Sequence, residues 1–497
     1  MRNLVAALLL AVSPSVVLAQ TPVQDLVPVR AHTLDNGLRL LILPRAGAPT
    51  VSFVVQYRVG SVNEPPGSSG IAHLLEHLLF KGTTTVGTRN YTAEMSLLEE
   101  MDALHDSLLV EQRAMEPDLD RMDVLGARIR TLEETASSYV VSNEFDAILS
   151  ENGARNLNAT TTSEATTYFV QLPANRAELW FVLEADRMRH PVFREFYTER
   201  DVVAEERRLR LETSPAGLLH EAHLSSAFHV HPYGRPVIGY MHDIQRLSRP
   251  AVEEYFQRFY GPNNAVVAVV GDIDPDRILR WTRDYLGTIP PGRSPPPVRA
   301  VEPEQRGERR VEVVFDAEPL LRIGWKVPDT FHPDAPALTM LQSVLTGGRS
   351  SRLYRRLVTE DRLVSSITSS MGPGHLHPGL FTVEAYPIAP HTTEEVEAAV
   401  YEELEALGKT PPGNDELQRV RNQLEASRIR RLRSNFGLAL QIASSESLYG
   451  DWTRTFTYSR SMEAVTPEDV QRVVSRYFVR TGRTVATLTK PGEEGGS

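Results

Sequence analysis

Apolar residues along this chain keep two rhythms, and each predicts a different element. Short runs rich in β-branched and aromatic residues, at 38–43 (LRLLIL), 51–57 (VSFVVQY) and 264–272 (NAVVAVVGD), predict strands, the last a buried one. Asp35-Asn36-Gly37 supplies a turn ahead of the first. Residues 155–170 also read as extended chain, while 177–188 and 198–212 read as helices. One stretch stands apart. Between 95 and 139 apolar residues recur at three and four, at Leu97, Met101, Leu104 and Leu108, then at Leu119, Met122, Leu125, Ile129 and Leu132. Glu116-Pro117-Asp118 interrupts them, so two antiparallel helices of about 20 residues are predicted, each roughly 30 Å long. This acidic insertion, 95–141, serves either as a solvated spur or as a gate or docking arm. It carries its own apolar seam, which predicts that residues 98–141 can be removed and bridged with a short Gly/Ser loop without opening the main core.

The pattern repeats. Residues 248–271 run as a helix, an aromatic pair and an apolar strand, and 466–489 follow the same order, displaced by 218 residues from Val252 to Val470 and from Phe259 to Tyr477. Between the copies Pro290, Pro291, Pro295, Pro296, Pro297 and Pro303 make a stiff, extended linker. The chain therefore divides into a first domain at 25–287, a linker at 288–310 and a second domain at 311–491, an α+β unit used twice. The first 19 residues combine a basic start, a short apolar core and Ala19 before Gln20, the pattern of a secretory signal peptide. No later segment is apolar enough to span a membrane.

Composition narrows the chemistry. A net charge of −11 argues against a nucleic-acid binder. The absence of cysteine rules out a disulfide scaffold, thiolate metal ligands and a cysteine nucleophile. Any metal must be held by His, Asp or Glu.

Residues 71–80, IAHLLEHLLF, supply such a set. His73 and His77 stand four apart, on one face of a helix, at a spacing that lets two imidazoles grip one Zn²⁺. Glu76 lies near the same face, where it can act as general base on a zinc-bound water. An amphipathic helix with two satisfied histidines has the same pattern, so the motif needs a third protein ligand. Glu199 and Glu206, seven apart on the predicted helix 198–212, are the candidates. A charged surface helix reads the same way.

The chain resembles the pitrilysin and insulysin family of zinc peptidases, whose motif is the inverted His-x-x-Glu-His. It is most similar to the two-domain, mitochondrial-processing-peptidase-like bacterial branch. The resemblance rests on residues 70–83 (GIAHLLEHLLFKGT), 199–206 (ERDVVAEE) and 231–239 (HPYGRPVIG). It implies two domains that curve into half of a clam-shell chamber. It implies that His73, His77 and Glu206 bind Zn²⁺, that Glu76 is catalytic, that Glu199 supports the ligands, and that Asn158-Ala159 lie on an edge strand that pairs with an extended peptide substrate. The expected activity is that of an exported, periplasmic zinc endopeptidase acting on peptides or unfolded segments. The alternative is a non-catalytic assembly or scaffold subunit. Two departures stand out. Glu206 follows His77 by 129 residues, longer than the family norm, and the 95–141 insertion accounts for the excess. The family's substrate-contacting Arg and Tyr fall on Val358 and Ser365, with Tyr354, Arg355 and Arg356 nearby. That gap implies a heterodimer in which a paralogous subunit supplies the missing pair.

Overall fold

A computed structural model of the protein describes residues 27–491, so the signal peptide expected at 1–19 lies outside the described residues. The chain builds two sheets. The first contains β1 (Arg30–Thr33), β2 (Arg39–Pro44), β3 (Thr50–Tyr57), β4 (Arg155–Thr161), β5 (Thr166–Pro173) and β6 (Ala265–Gly271), in the order β1-β2-β6-β3-β5-β4. The second contains β7 (Arg309–Val314), β8 (Leu320–Val327), β9 (Val364–Gly372), β10 (Gly379–Pro387) and β11 (Arg483–Thr489), in the order β7-β11-β8-β10-β9. Without β1 the two orders superpose. In each, one parallel pair (β2/β6, β7/β11) is followed by antiparallel pairings out to a free edge, β4 or β9. The α+β duplication expected from the repeat is present in the strand connectivity.

Of the predicted strands, 39–43 falls in β2 with Leu38 just before it, 51–57 falls in β3, and 155–170 resolves into the hairpin β4–β5. The apolar run of β6 is buried throughout because both faces are covered. Ala265, Val267 and Val269 enter one core with Phe53, Trp180 and Phe181, while Val266, Ala268 and Val270 enter another with Leu438, Ala439, Ile442 and Ala443.

That second cover comes from far along the chain. Helix Asn435–Tyr449 belongs to the second repeat yet lies on the first sheet. Reciprocally, helix Pro215–Ala227 of the first repeat lies on the second sheet, where Leu219 meets Leu320, Ala486 and Leu488. A cut at the linker would strip each sheet of one cover, so the division at 288–310 separates repeats in sequence but not in packing. No helix or strand forms between Leu286 and Arg309, and Glu302 in this stretch accepts the N–H groups of His229, Val230 and His231.

The insertion is two helices, Tyr91–Arg113 and Leu119–Ser137. Asn90 and Asp118 cap them through their side chains, accepting from the N–H of Ala93 and Arg121. Its outer end exposes Val110, Met115, Leu119 and Val124, but its root is not autonomous. Leu98, Met101, Leu132 and Ala136 pack in the first core, and Glu94 and Asp102 form ion pairs with Arg194 and Arg249. The expectation that residues 98–141 can be removed without opening the core fails here, because half of the insertion's seam faces the protein and not its own partner helix. Among the described residues no helix is long and apolar enough to cross a membrane.

Candidate metal centre

Helix Ile71–Leu78 follows β3 in the chain, and the two insertion helices and the helix Glu144–Glu151 separate it from β4. Gly70 precedes it at φ 89°, and a Cβ there would lie 2.5 Å from the carbonyl oxygen of Ile238, so only glycine fits. The Glu64 carboxylate accepts the N–H of Gly70 and of Ala72 at 3.1 Å each, satisfying donors at the helix start. Ile71, Ala72, Leu74, Leu75 and Leu78 bury one face in the first core. That leaves His73 and His77 on the open face, their ring centroids 4.7 Å apart.

Helix Phe196–Arg207 brings Glu199 and Glu206 to the same place. Glu206 Oε2 lies 3.7 Å from His73 Nε2 and 3.5 Å from His77 Nε2. These separations are too long for hydrogen bonds. Ligand atoms held tetrahedrally at about 2.0–2.2 Å from zinc are about 3.3–3.6 Å apart, so the three donors fit one zinc ion. Among the described residues this is the one His/Cys/Asp/Glu group that converges closely enough to hold a metal.

The electrostatics suit the same role. Burial, with the neighbouring His77 and Arg210, pushes His73 down to about 3, so its imidazole is neutral with a lone pair free. Burial also pushes His77 down, but the Glu199 hydrogen bond and the carboxylates around it outweigh that and raise it in the metal-free chain. His77 Nδ1 lies 2.8 Å from Glu199 Oε1, which fixes the ring so that Nε2 faces Glu206. Lys81 Nζ sits 2.6 Å from the other Glu199 oxygen. Burial opposes the charge on Glu199, yet His77 and Lys81 together hold it down at about 2. Glu76 is buried beside this set and accepts a hydrogen bond from Thr161 Oγ1 at 2.5 Å. Burial raises its carboxyl, the direction a base working near neutral pH needs.

Asn158 and Ala159 lie on β4, the free edge of the first sheet. Ala159 turns into the core, and Asn158 is exposed. In the second repeat Arg355 and Arg356 are engaged locally by Glu360 and by Glu402, and Ser365 donates to the carbonyl of Tyr386. Glu205, beside Glu206, points outward and pairs with Arg208 at 2.7 Å. The sequence reading did not single out Thr161, Lys81, Glu64 or Arg210. Thr161 is two residues beyond Ala159 on a strand, and Lys81 is four beyond His77, so spacing held a signal for both.

A convergent His-His-Glu set with a carboxylate beside it, on the first of two repeated sheet-and-helix units, is the architecture of an inverted-motif metallopeptidase. The model for the insulinase family, Peptidase family M16, matches residues 40–102 and 134–240, and the model for the Peptidase M16 inactive domain matches residues 246–424. The chain belongs to this family. The unmatched residues 103–133 fall within the helical insertion. Zinc protease PqqE of Helicobacter pylori is 29% identical over 464 residues, covering 92% of this chain and 91% of that protein. An uncharacterized zinc protease of Streptomyces coelicolor is 25% identical, covering 90% and 86%. A crystal structure of a protease from Helicobacter pylori superposes with a TM-score of 0.78 at 27% identity, covering 93% of this chain and 99% of that one. The periplasmic protease PqqL from Escherichia coli shares the fold, with a TM-score of 0.68 at 18% identity over 93% of this chain and 47% of that one. Relatives named zinc proteases imply Zn²⁺ as the cofactor here.

Proposed function

We propose that this chain is an exported zinc endopeptidase of the periplasm that hydrolyses peptides or unfolded polypeptide segments. The observation that carries the reading is the meeting of His73, His77 and Glu206 within ligand distance of one another, with Glu76 buried alongside. These three residues would hold the ion. Zn²⁺, when bound, supplies Lewis acidity toward the scissile carbonyl and makes water more acidic. Glu76 takes a proton from the attacking water and returns it to the leaving amine, and Thr161 holds its carboxylate in place. Glu199 keeps His77 in the tautomer that offers Nε2, and Lys81 keeps Glu199 ionised. The free edge at Asn158-Ala159 supports docking of an extended peptide by strand addition. The leader pattern at 1–19 supports export, and the Escherichia coli fold neighbour PqqL is a periplasmic protease.

Alignment with the family sets Val358 and Ser365 at the positions of its Arg and Tyr, which supports a heterodimer with a paralogous chain that supplies them. Losing one oxyanion donor costs on the order of 10²–10³ in rate, so the isolated chain turns over slowly. Glu76→Gln tests the core of the proposal. It should retain zinc and lower the remaining turnover by about 10²–10⁴. A variant that cleaves peptide as fast as the wild type contradicts the role of Glu76. An isolated chain with full activity contradicts the heterodimer.

A further inference from the structure

Helix Phe196–Arg207 does not end directly after its glutamates. It runs on through a π turn, Arg208–Glu212, which begins two residues beyond Glu206. Such turns are rare and recur at functional sites. This one is pinned from outside: a Cβ on Gly217 would lie 2.3 Å from the carbonyl oxygen of Arg210 and 2.8 Å from the Cα of Leu211. Gly217 belongs to helix Pro215–Ala227, the cover of the second sheet, so the placement of the turn is tied to the packing between the two repeats.

The turn presents Arg210 to the metal centre. Its Nη2 lies 3.0 Å from Glu206 Oε1, while Oε2 of the same carboxylate faces the two imidazoles at 3.7 and 3.5 Å. The neighbouring arginines do otherwise. Arg207 is buried against the carbonyl of Gly239 and the carboxylate of Glu221, and Arg208 pairs with the exposed Glu205.

We propose that Arg210 is a positioning residue: its guanidinium holds the outer oxygen of Glu206, so that the carboxylate meets the ion with one oxygen and a coordination position stays open for the reaction. The inference rests on the reading of Glu206 as a ligand. A carboxylate released from Arg210 is free to turn both oxygens to the ion, which fills that position. Arg210 is 72% exposed, so screening by water keeps its effect modest.

The test uses the full chain loaded with Co²⁺, whose visible absorption reports coordination number, together with zinc affinity from chelator competition. Wild type and Arg210→Lys, which keeps the charge, should share one spectrum. Arg210→Met should show the weaker band of a higher-coordinate site and bind zinc about tenfold less tightly, the low end for changes around a ligand. Arg208→Met, on the same turn, should match the wild type. An Arg210→Met chain with the wild-type spectrum and affinity overturns the proposal, as does an equal change in Arg208→Met. A wild-type chain that takes up no metal overturns the ligand reading as well, whereas metal bound equally by wild type and Arg210→Met overturns only the role of Arg210.

Discussion

The two repeats place a helix at the same point and use it differently. Ile71–Leu78 follows β3, and Ala335–Thr346 follows β8. Both bury one apolar face under their sheet, through Leu74, Leu75 and Leu78 in the first and Leu338, Leu341 and Leu345 in the second. Both also bond to the free edge strand beside them. Glu76 accepts from Thr161 of β4, whereas Gln342 donates to the carbonyl of Ser369 on β9 and Thr346 meets the Ser369 hydroxyl. The junction of helix and edge strand is therefore a property of the unit, and the chemistry is a property of the side chains set on it. In the first repeat that junction holds a carboxylate, Glu76, beside two histidines and a distant glutamate whose ligand atoms converge. In the second it holds an amide, and it is structural.

This contrast breaks at its most sensitive point if the distant glutamate is wrong. Glu206→Ala removes one of three protein ligands and should weaken metal binding by more than the roughly tenfold to hundredfold typical of changes around a ligand. Glu199→Ala should fall within that range, and Glu205→Ala should leave binding unchanged. Metal titration of the three variants checks the order. Zinc loss in Glu205→Ala with retention in Glu206→Ala would reverse the assignment.

The insertion, present in the first repeat alone, sharpens the contrast through stability. Its root is core and its tip is solvent. Leu132→Ala should destabilise by about 2–5 kcal/mol, while Val124→Ser at the tip should stay within about 0.5 kcal/mol. Denaturant unfolding measures both, and equal losses would show that the root is no more a part of the core than the tip.

The smallest effect concerns the start of helix Ile71–Leu78, where Glu64 accepts the Gly70 and Ala72 N–H groups, whereas Asp334, at the start of Ala335–Thr346, is taken up by Arg472 and Tyr477. Burial pushes Glu64 up to about 8 from the ordinary 4.5, against the pull of the Ala72 and Gly70 N–H groups. The folded chain thus holds a proton that the unfolded chain releases, so this contribution is full below 4.5 and is lost as pH rises toward about 8. Thermal melts of metal-free protein across that window should show a smaller fall in Tm with pH for Glu64→Gln than for the wild type. Identical slopes would remove Glu64 from the account.

Local signals in the sequence carried a good share of this. The run of β6 announces a strand because every residue in it is apolar, and the spacing of His73, Glu76 and His77 already puts them on the open face of one helix. The helices of the insertion follow from their three-and-four rhythm and the break at Pro117. What was not legible lies at long range. Helix Pro215–Ala227 shows nothing of which sheet it will cover, since an apolar stripe fits either. The seam of the insertion looks self-sufficient because periodicity marks a buried face without marking what buries it. Arg210 owes its place to a π turn, which no residue pattern near it declares.

The central claim is that one zinc site exists per chain and that it lies in the first repeat. Anomalous diffraction at the zinc edge from crystals of the purified chain tests it directly. The account predicts a single peak between His73 Nε2, His77 Nε2 and Glu206. A peak in the second repeat, or none at these three residues in zinc-loaded protein, would contradict it.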